Sequence, residues 1–235
     1  MIYVIGSIGS GKTSLTKALS DDMGTNPYYE DVNNGLIKGM LQEFYSAGKE
    51  SRKRISAMLQ VAFLTVRFQQ LRKALVERNS ILDSNLLSDY IMATNLFKRS
   101  EMDEASYNVY LTLNQEMQEE VDGHPFASKP DLVVYLSIDP EHEIEEIQKR
   151  GRGMEDIRKD PKLVDYYHSV NQAFHNWYNG YYQSRVVKID RDHLDFVNDP
   201  NDRNNVLDMI EKELISLGQL TEEEYQGIVN RRKSA

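Results

Sequence analysis

The first chemically informative feature of the sequence is a glycine-rich segment that ends in a lysine and a hydroxyl residue. Residues 6–13 fit the pattern G-x-x-x-x-G-K-[ST], and they are Gly6, Ser7, Ile8, Gly9, Ser10, Gly11, Lys12 and Thr13. Glycines let such a loop turn its backbone N–H groups inward, at φ values that a Cβ would resist. The lysine places a point charge on the β- and γ-phosphates of a nucleotide, and the threonine hydroxyl ligates Mg²⁺. These residues and the adjoining Ser14 predict a phosphate-binding loop.

The elements on either side of this loop have the patterns that it requires. Residues 2–5 form an apolar run that predicts a buried strand, and residues 12–20 predict a helix whose positive end faces the anion. Further along, short β-rich runs alternate with longer helical patterns, which is typical of a parallel α/β sheet. The predicted strands are 2–5, 28–30, 80–83, 132–138 and 186–190, and the predicted helices are 12–20, 54–76, 86–97, 102–121, 142–149, 163–182 and 204–217.

Length, charge and composition exclude several classes of protein. A chain of 235 residues favours one domain with a large core. The formal net charge of −9 argues against binding to nucleic acid or to an anionic membrane, because both require clustered lysine and arginine. The absence of cysteine excludes disulfides, thiolate catalysis and cysteine–zinc sites. No apolar run approaches the ~20 residues of a membrane span, and the N-terminus lacks signal-peptide features. We therefore expect a cytoplasmic protein.

A phosphate loop is shared by GTPases, ATPase motors and small-molecule kinases, and other residues favour a kinase. The sequence has no Asn-Lys-x-Asp motif and no strand ending in Asp-x-x-Gly, which disfavours a GTPase. A kinase acting on a hydroxyl needs a base near the acceptor and cations near the moving phosphoryl group. Glu30 and Asp83 end predicted strands, where open α/β sheets form their ligand crevice. Lys149, Arg150 and Arg152 surround two glycines that could hinge a lid over ATP.

This arrangement resembles the deoxynucleoside kinase family, and most of all the deoxyadenosine/deoxyguanosine kinases of Gram-positive bacteria. The resemblance covers residues 1 to about 217 and rests on Tyr-Tyr-Glu-Asp-Val-Asn-Asn (28–34), Met-Leu-Gln-x-x-Phe-Leu (58–64), Lys-Arg-Gly-Arg (149–152) and Leu-Asp-Phe-Val (194–197). It implies an α/β fold of the P-loop kinase type, with a five-stranded parallel sheet flanked by helices and a lid at about residues 149–158. It also implies Mg²⁺- and ATP-dependent phosphorylation of a purine deoxynucleoside at its 5′-hydroxyl. Residues 218–235 are polar and are expected to form a peripheral tail.

The resemblance further implies roles for residues around the acceptor. Glu30 matches the general base that takes the proton from the 5′-hydroxyl. Gln60 matches the glutamine that pairs with the edge of the nucleobase, a bidentate contact that suits adenine. Arg67 and Asp89 match a pair beside the base that tunes the choice between purine and pyrimidine.

Other matched residues hold the sugar and the phosphates. Tyr45 and Glu155 match the groups that hold the 3′-hydroxyl. Arg150 and Arg152 match lid arginines that neutralise charge on the transferring phosphoryl group. The loop 191–196 matches the segment that lies against the donor adenine. The predicted catalytic residues are Lys12, Glu30, Arg150 and Arg152, the predicted substrate-binding residues are Glu30, Tyr45, Gln60, Arg67, Asp83, Asp89 and Glu155, and the predicted magnesium ligands are Thr13 and Asp83.

Two departures from the family pattern fall in the predicted acceptor pocket. The family has an acid followed by arginine at the end of the third strand, whereas this chain has Asp83-Ser84-Asn85. The aromatic residue that stacks on the nucleobase is replaced by Ala93. Both changes favour an altered acceptor or a weaker enzyme, and Arg54 or Lys38 could supply the missing charge.

Two alternative functions remain open from the sequence. A nucleoside-monophosphate or modified-nucleoside kinase would use the room left by Ser84 and Ala93, and it would need Lys38 or Arg54 at the acceptor phosphate. A nucleotide-binding sensor would keep the phosphate loop and show no acceptor-dependent consumption of ATP.

Two further expectations concern packing. The family usually dimerises through helices near the third strand, so a homodimer is expected, with the apolar faces of residues 54–76 and 86–97 as its candidate contacts. An aromatic run at helical spacing predicts core and surface packing rather than base stacking, and its members are Tyr166, Tyr167, Phe174, Trp177, Tyr178, Tyr181 and Tyr182.

Overall fold

The strands of the protein form one parallel sheet with β1 at its centre. A computed structural model describes residues 1–121, 129–181 and 183–234. The strands within these ranges are β1 (Ile2–Gly6), β2 (Pro27–Tyr28), β3 (Ile81–Asp83), β4 (Leu132–Ser137) and β5 (Arg185–Asp190). Their order is β2-β3-β1-β4-β5, and each pairing is parallel. The predicted five-stranded parallel sheet is therefore confirmed, and its strands present their carboxyl ends along one edge.

The second strand is shorter than the sequence pattern suggested. It ends at Tyr28, whereas residues 28–30 were expected to be extended. Pro27 begins it and has no N–H to donate, which suits the edge position that β2 occupies. Glu30 consequently lies in the loop after the strand.

Helices flank the sheet on both faces. Those in the described ranges are α1 (Lys12–Met23), α2 (Lys38–Ser46), α3 (Lys49–Ala74), α4 (Leu86–Lys98), α5 (Glu104–Val121), α6 (Pro140–Arg150), α7 (Leu163–Gly180), α8 (Pro200–Ser216) and α9 (Glu222–Ser234). All seven predicted helices are present, whereas α2 and α9 were not predicted. Tyr182, the expected end of one helix, lies outside the described residues. None of these helices is both long and apolar enough to cross a membrane.

Local capping explains why two of the helices start earlier than the hydrophobic pattern indicates. Asp139 accepts a hydrogen bond from the backbone N–H of Glu141, and Pro140 occupies the first turn of α6. At the start of α8, Asp199 accepts hydrogen bonds from the backbone N–H groups of Asn201 and Asp202, and Pro200 occupies the first turn. An acidic cap followed by proline satisfies the free N–H groups with a preset φ angle.

Alternate residues of β1 supply two hydrophobic layers. Tyr3 and Ile5 belong to the first hydrophobic layer, which includes α2, α3, α4, α5, α6 and α7. Ile2 and Val4 belong to the second hydrophobic layer, on the opposite face, which includes α1, α8 and α9. Because successive side chains of a strand point to opposite faces, one short apolar strand can serve both layers.

Residues 222–234 form helix α9, which packs on the protein, whereas residues 218–235 were expected to form a peripheral tail. Tyr225 and Ile228 of α9 are buried in the second hydrophobic layer. Arg232 forms ion pairs with Asp22 at the end of α1 and with Glu211 of α8. The segment therefore fastens two helices of this layer to each other.

Candidate active site

A cavity of about 680 Å³ opens where β1 and β3 end. Its position at the carboxyl edge of a parallel sheet is the usual place for a ligand site in such folds. The predicted loop residues on its wall are Gly6, Ile8, Gly9, Gly11, Lys12, Thr13 and Ser14. The other predicted site residues on its wall are Glu30, Tyr45, Gln60, Arg67, Asp83, Asp89, Arg150, Arg152 and Glu155. Ser7 and Ser10 do not line it.

The phosphate loop lies between β1 and α1 and needs its glycines. Gly9 and Gly11 have φ angles of 83° and 94°, a region that side chains with a Cβ rarely adopt. A Cβ on Gly9 would also lie 2.9 Å from a side-chain carbon of Ile147 in α6. The hydroxyl of Ser10 donates to the carbonyl of Ser7, at 2.9 Å, and so closes the loop from behind. The resulting loop ends at the start of α1, where the helix dipole favours an anion.

Lys12 extends along the loop towards two acidic residues. Its Nζ donates to the carbonyl oxygen of Ser7 at 2.7 Å. Enclosure by the cavity walls lowers the pKa of Lys12, and the negative charges of Asp83 and Glu30 oppose that shift. The cation is therefore held by the loop and is influenced by Asp83, which ends β3, and by Glu30, which lies in the loop after β2.

Thr13 and Asp83 are brought together as expected for a magnesium site. The Thr13 hydroxyl donates to one carboxylate oxygen of Asp83, and the other carboxylate oxygen, Oδ1, is buried without a partner among the described residues. Burial raises the pKa of Asp83, and Lys12 opposes it. No set of three acidic or histidine residues that could hold a metal occurs in the described ranges. Since Mg²⁺ in nucleotide sites is held by one or two protein oxygens plus phosphates, Thr13 and Asp83 fit this ion.

Arg67 joins the two acids on either side of it. Its guanidinium forms one ion pair with Glu30 and another with Asp89, whose side chain is fully buried. Enclosure raises the pKa of Glu30, but the charges of Arg67 and Lys12 outweigh that effect, so the net pKa is lowered. Glu30 is consequently an ionised carboxylate that is paired with the guanidinium of Arg67.

The cation beside Glu30 differs from those that the sequence suggested. Arg54 and Lys38 were considered as substitutes for the arginine that Ser84 replaces, and both are exposed and do not line the cavity. Arg67 of α3 contacts Glu30 instead. The helix lies next to the loop that carries this acid, since Gln70 of α3 donates a hydrogen bond to the carbonyl oxygen of Tyr29.

The residues expected to contact base and sugar line the same cavity. Gln60 is buried on α3, and its Oε1 has no partner among the described residues. Tyr45 of α2 is also buried, and burial raises the pKa of its hydroxyl well above the ordinary value, so the group stays neutral. An unpaired buried amide is costly unless a ligand satisfies it, which suits a recognition role.

The predicted lid begins where α6 ends. Gly151 has a φ angle of 72° and terminates the helix. Glu155, which is buried, accepts a hydrogen bond from Arg150 at 2.7 Å and lies 3.6 Å from an Nη atom of Arg152. Both arginines line the cavity, so the segment predicted to be a lid carries two cations and the carboxylate that pairs with them.

The loop after β5 closes the other side of the phosphate loop. The guanidinium of Arg191 lies 4.6 Å from the ring centroid of Phe196. A Cβ on Gly11 would lie 3.2 Å from the Phe196 ring. The loop 191–196, which is expected to lie against a donor adenine, therefore packs against the phosphate loop at Gly11.

The two departures from the family pattern have different structural settings. Ser84 lines the cavity with a φ angle of 74°, a left-handed conformation that is uncommon for a residue with a Cβ. Ala93 is fully buried in the core and does not line the cavity. The apolar wall at that side is formed by Phe63 and Met92.

Some residues of the site had no signal in the sequence. The aromatic run of α7 packs in the first hydrophobic layer as expected, but Tyr166 and Phe174 also line the cavity. Phe44 comes from α2, a helix that was not predicted. Helical spacing identifies an apolar face, but it does not distinguish a face that fills a core from one that borders a cavity.

Comparisons with known proteins agree on one family. The family model described as deoxynucleoside kinase matches residues 2–216. The chain is 33% identical over 220 residues to a deoxyadenosine kinase of Lactobacillus acidophilus, covering 94% of this chain and 99% of that protein. It is 34% identical over 223 residues to a deoxyguanosine kinase of Lactobacillus johnsonii, covering 95% and 96% respectively.

A solved structure shares the fold. The deoxyadenosine kinase from M. mycoides with bound dATP superposes with a TM-score of 0.69 at 22% identity, covering 89% of this chain and 98% of that one. The predicted P-loop kinase fold is thereby confirmed.

Proposed function

Since the chain belongs to the deoxynucleoside kinase family, we propose that it transfers the γ-phosphoryl group of ATP to the 5′-hydroxyl of a purine deoxynucleoside. The observation that carries this proposal is that one cavity contains both the phosphate loop and the ionised Glu30. A donor held by the loop and an acceptor held by α3 and α4 would meet in front of Glu30. Proximity of this kind supplies much of the rate enhancement in phosphoryl transfer.

Each charged group has a part in this reaction. The Glu30 carboxylate accepts the proton that leaves the 5′-hydroxyl as the new O–P bond forms. Lys12, Arg150 and Arg152 stabilise negative charge on the transferring group and on the departing ADP. Thr13 and Asp83 would hold Mg²⁺, which supplies neutralisation of the β- and γ-phosphate oxygens.

The preference for a purine rests on the residues expected to contact the base. Gln60 offers a buried side-chain amide whose Oε1 has no partner among the described residues, and an amide can form two hydrogen bonds with the edge of adenine. Arg67 and Asp89 line the same cavity and form an ion pair with each other, so they add a donor and an acceptor group. Tyr45 and Glu155 are assigned to the 3′-hydroxyl of the sugar. The relatives named above include both a deoxyadenosine kinase and a deoxyguanosine kinase.

The test is an ATP-consumption assay with Mg²⁺ and a panel of deoxynucleosides, ribonucleosides and deoxynucleoside monophosphates. Deoxyadenosine or deoxyguanosine should support turnover by the wild-type chain. Lys12→Ala should abolish it, and Glu30→Gln should lower it by roughly 10²–10⁴-fold, the usual contribution of a general base. Lys17→Ala is the matched control, because Lys17 is exposed on the same helix as Lys12.

The other outcomes of this assay identify the alternatives. Turnover with monophosphates alone would indicate a nucleoside-monophosphate kinase, an alternative that the exposed positions of Lys38 and Arg54 disfavour. Binding of ATP without turnover of any acceptor would indicate a nucleotide sensor. Either result would overturn the proposal.

We also propose that the protein is a homodimer. Large apolar side chains are exposed on the outer surfaces of α3 and α4, including Met58 and Tyr90. A second copy of the chain would cover them, since exposed apolar surface favours association. Sedimentation equilibrium of the wild-type chain should give twice the monomer mass.

A further inference from the structure

Glu143 is a buried carboxyl group that none of the roles above uses. It lies on α6 and is fully shielded from solvent. The Ser7 hydroxyl donates to its Oε2 at 2.5 Å, and Nδ2 of Asn171 donates to the same oxygen at 2.6 Å. Asn171 is fixed in turn by donating to the carbonyl oxygen of Ile138 at 2.9 Å. One carboxylate oxygen thus connects the phosphate loop, α6 and α7.

The contact joins elements that act on the same phosphates. Ser7 belongs to the phosphate loop, and α6 ends at Arg150, where the lid begins. The fit between loop and helix is close, because a Cβ on Gly9 would lie 3.3 Å from the carbonyl oxygen of Glu143. Ser7 and Glu143 are 136 positions apart in the sequence, so this hydrogen bond fixes the loop relative to a distant helix.

The second oxygen of Glu143 leaves the group incompletely satisfied. Its Oε1 is buried and has no partner among the described residues. The pKa of Glu143 is raised to about 7, because the effect of burial exceeds the opposing effects of Ser7, Asn171, Lys12 and Arg150. The two cations are therefore the charges that favour the ionised form.

The other titratable groups that face Glu143 are tyrosines. Tyr135 lies on β4 and Tyr167 lies on α7, and the charge of Glu143 raises the pKa of both. Burial is the main cause of each shift, so both hydroxyls stay neutral at physiological pH. Glu143 is consequently the group in this cluster that titrates near neutrality.

We propose that Glu143 is a positioning residue for the triphosphate: it holds the phosphate loop against α6 through Ser7, and it takes up a proton when ATP binds. The proton comes from solvent and adds to the carboxylate, so no other group changes its charge. The physical cause is that the phosphates bring negative charge to the loop and engage Lys12, which otherwise favours the ionised form. This inference rests on the ATP-binding part of the proposed function.

The sign of the pH dependence follows from this uptake. Below about pH 7 Glu143 is already neutral, and ATP binds without a protonation step. As the pH rises through that value, Glu143 becomes ionised in the free protein. ATP binding must then either be accompanied by protonation of Glu143 or bring the phosphates close to its negative charge. The affinity for ATP therefore falls as the pH rises, by about tenfold for each unit by which ATP raises the pKa of Glu143.

Isothermal titration calorimetry of Mg²⁺–ATP binding tests this inference. The wild type, Glu143→Gln and Glu145→Gln would be measured between about pH 6 and pH 9 in two buffers of different ionisation enthalpy. Glu143→Gln keeps the shape of the side chain and removes its titration. Glu145→Gln is the matched control, because Glu145 is exposed on the same helix.

The expected result is a difference between the profiles. The wild type and Glu145→Gln should take up a proton on binding Mg²⁺–ATP near neutral pH. Once the Glu143→Gln profile is subtracted from theirs, their affinity for Mg²⁺–ATP should be about tenfold lower at high pH than at low pH. That subtraction removes the titration of the nucleotide itself. Glu143→Gln should take up no proton beyond the nucleotide's own. Equal uptake and equal profiles in wild type and Glu143→Gln would overturn the inference.

A second variant keeps the inference testable if Glu143→Gln does not fold. Ser7→Ala removes a hydrogen bond that lowers the pKa of Glu143, so the midpoint of the affinity profile should move to higher pH. An unmoved midpoint would overturn the inference. Because the experiment measures ATP binding, a failure to phosphorylate deoxynucleosides would count against the proposed reaction and leave this result intact.

Discussion

The ion pairs of Arg67 give one side chain two partners in the cavity, Glu30 and Asp89. A planar guanidinium can bridge two carboxylates, whereas the ammonium group of lysine acts as a single point charge. The charge of Arg67 also contributes to the lowered pKa of Glu30. Glu30 should therefore be ionised at neutral pH, and the loss of activity that its protonation causes should appear only as the pH falls through a value below 4.5, the ordinary pKa.

Arg67→Lys should weaken this arrangement while keeping the positive charge. A lysine can reach one acid at a time, so the pKa of Glu30 should rise and the acid limb of the kcat/KM profile should move to higher pH. We expect kcat/KM at neutral pH to fall about 10–100-fold, which corresponds to the loss of one charged hydrogen bond. Arg72→Lys on the exposed side of α3 is the control. An unchanged acid limb in Arg67→Lys would show that Arg67 does not set the ionisation of Glu30.

Among single residues, the sequence identified the site residues that belong to a recognisable motif or that follow a predicted strand. Lys12, Thr13 and Glu30 belong to this class, and they line the cavity together. The partner of Glu30 was not identified, because Arg67 is 37 positions away and nothing in the sequence pairs the two. Glu143 had no signal either, since α6 is rich in glutamate and such a helix normally exposes its acids to water.

At the scale of elements, the fit between the phosphate loop and α6 depends on Gly9. Gly9→Ala would strain a backbone with φ of 83° and would place its Cβ 2.9 Å from Ile147. We expect a loss of stability of about 2–4 kcal/mol from strain and overpacking together, and weaker binding of Mg²⁺–ATP. Thermal unfolding and calorimetric titration measure the two effects.

Gly24→Ala separates strain from overpacking. Gly24 also has a positive φ, 67°, but a Cβ there would meet nothing within 4 Å. It should lose only the ~1–2 kcal/mol of backbone strain and bind Mg²⁺–ATP normally. If both variants behaved alike, the contact between the loop and α6 would have no part in ATP binding.

The sequence predicted most elements but not all of their ends. Alternation of short apolar runs and helical patterns was sufficient for the five strands, because the central strands β1, β3 and β4 are buried on both faces and read as apolar runs. The end of β2 was misjudged, since two aromatic residues before Glu30 resemble a longer strand. Helix α9 was missed because only Tyr225 and Ile228 are buried in it, too few for a clear period.

At the scale of the whole molecule, Arg232 connects the last helix to the first. Its side chain is 11% exposed, and it pairs with Asp22 and with Glu211, whose side chain is fully buried. Arg232→Met would leave Glu211 without its cation inside the second hydrophobic layer. We expect a loss of about 3 kcal/mol, the usual cost of breaking a buried pair, and a fall in Tm of roughly 6–12 °C.

The control for this prediction is Lys233→Met. Lys233 is the next residue along α9 and is exposed, so its replacement should shift Tm by no more than a surface substitution does. A Tm for Arg232→Met equal to that of Lys233→Met would contradict a stabilising role for the ion pairs. Differential scanning calorimetry provides both values.

The division of the sheet into two faces has a consequence for how such a chain can change over generations. The proposed nucleoside pocket takes its apolar wall from α2, α3, α4 and α7 on one face, whereas α1 packs with α8 and α9 on the other. Substitutions that reshape the nucleoside wall are absorbed within one layer and leave the packing of α1 intact. Ala93 lies in that layer. A lineage can therefore exchange one acceptor for another while it inherits unchanged the packing of α1, the helix that follows the phosphate loop.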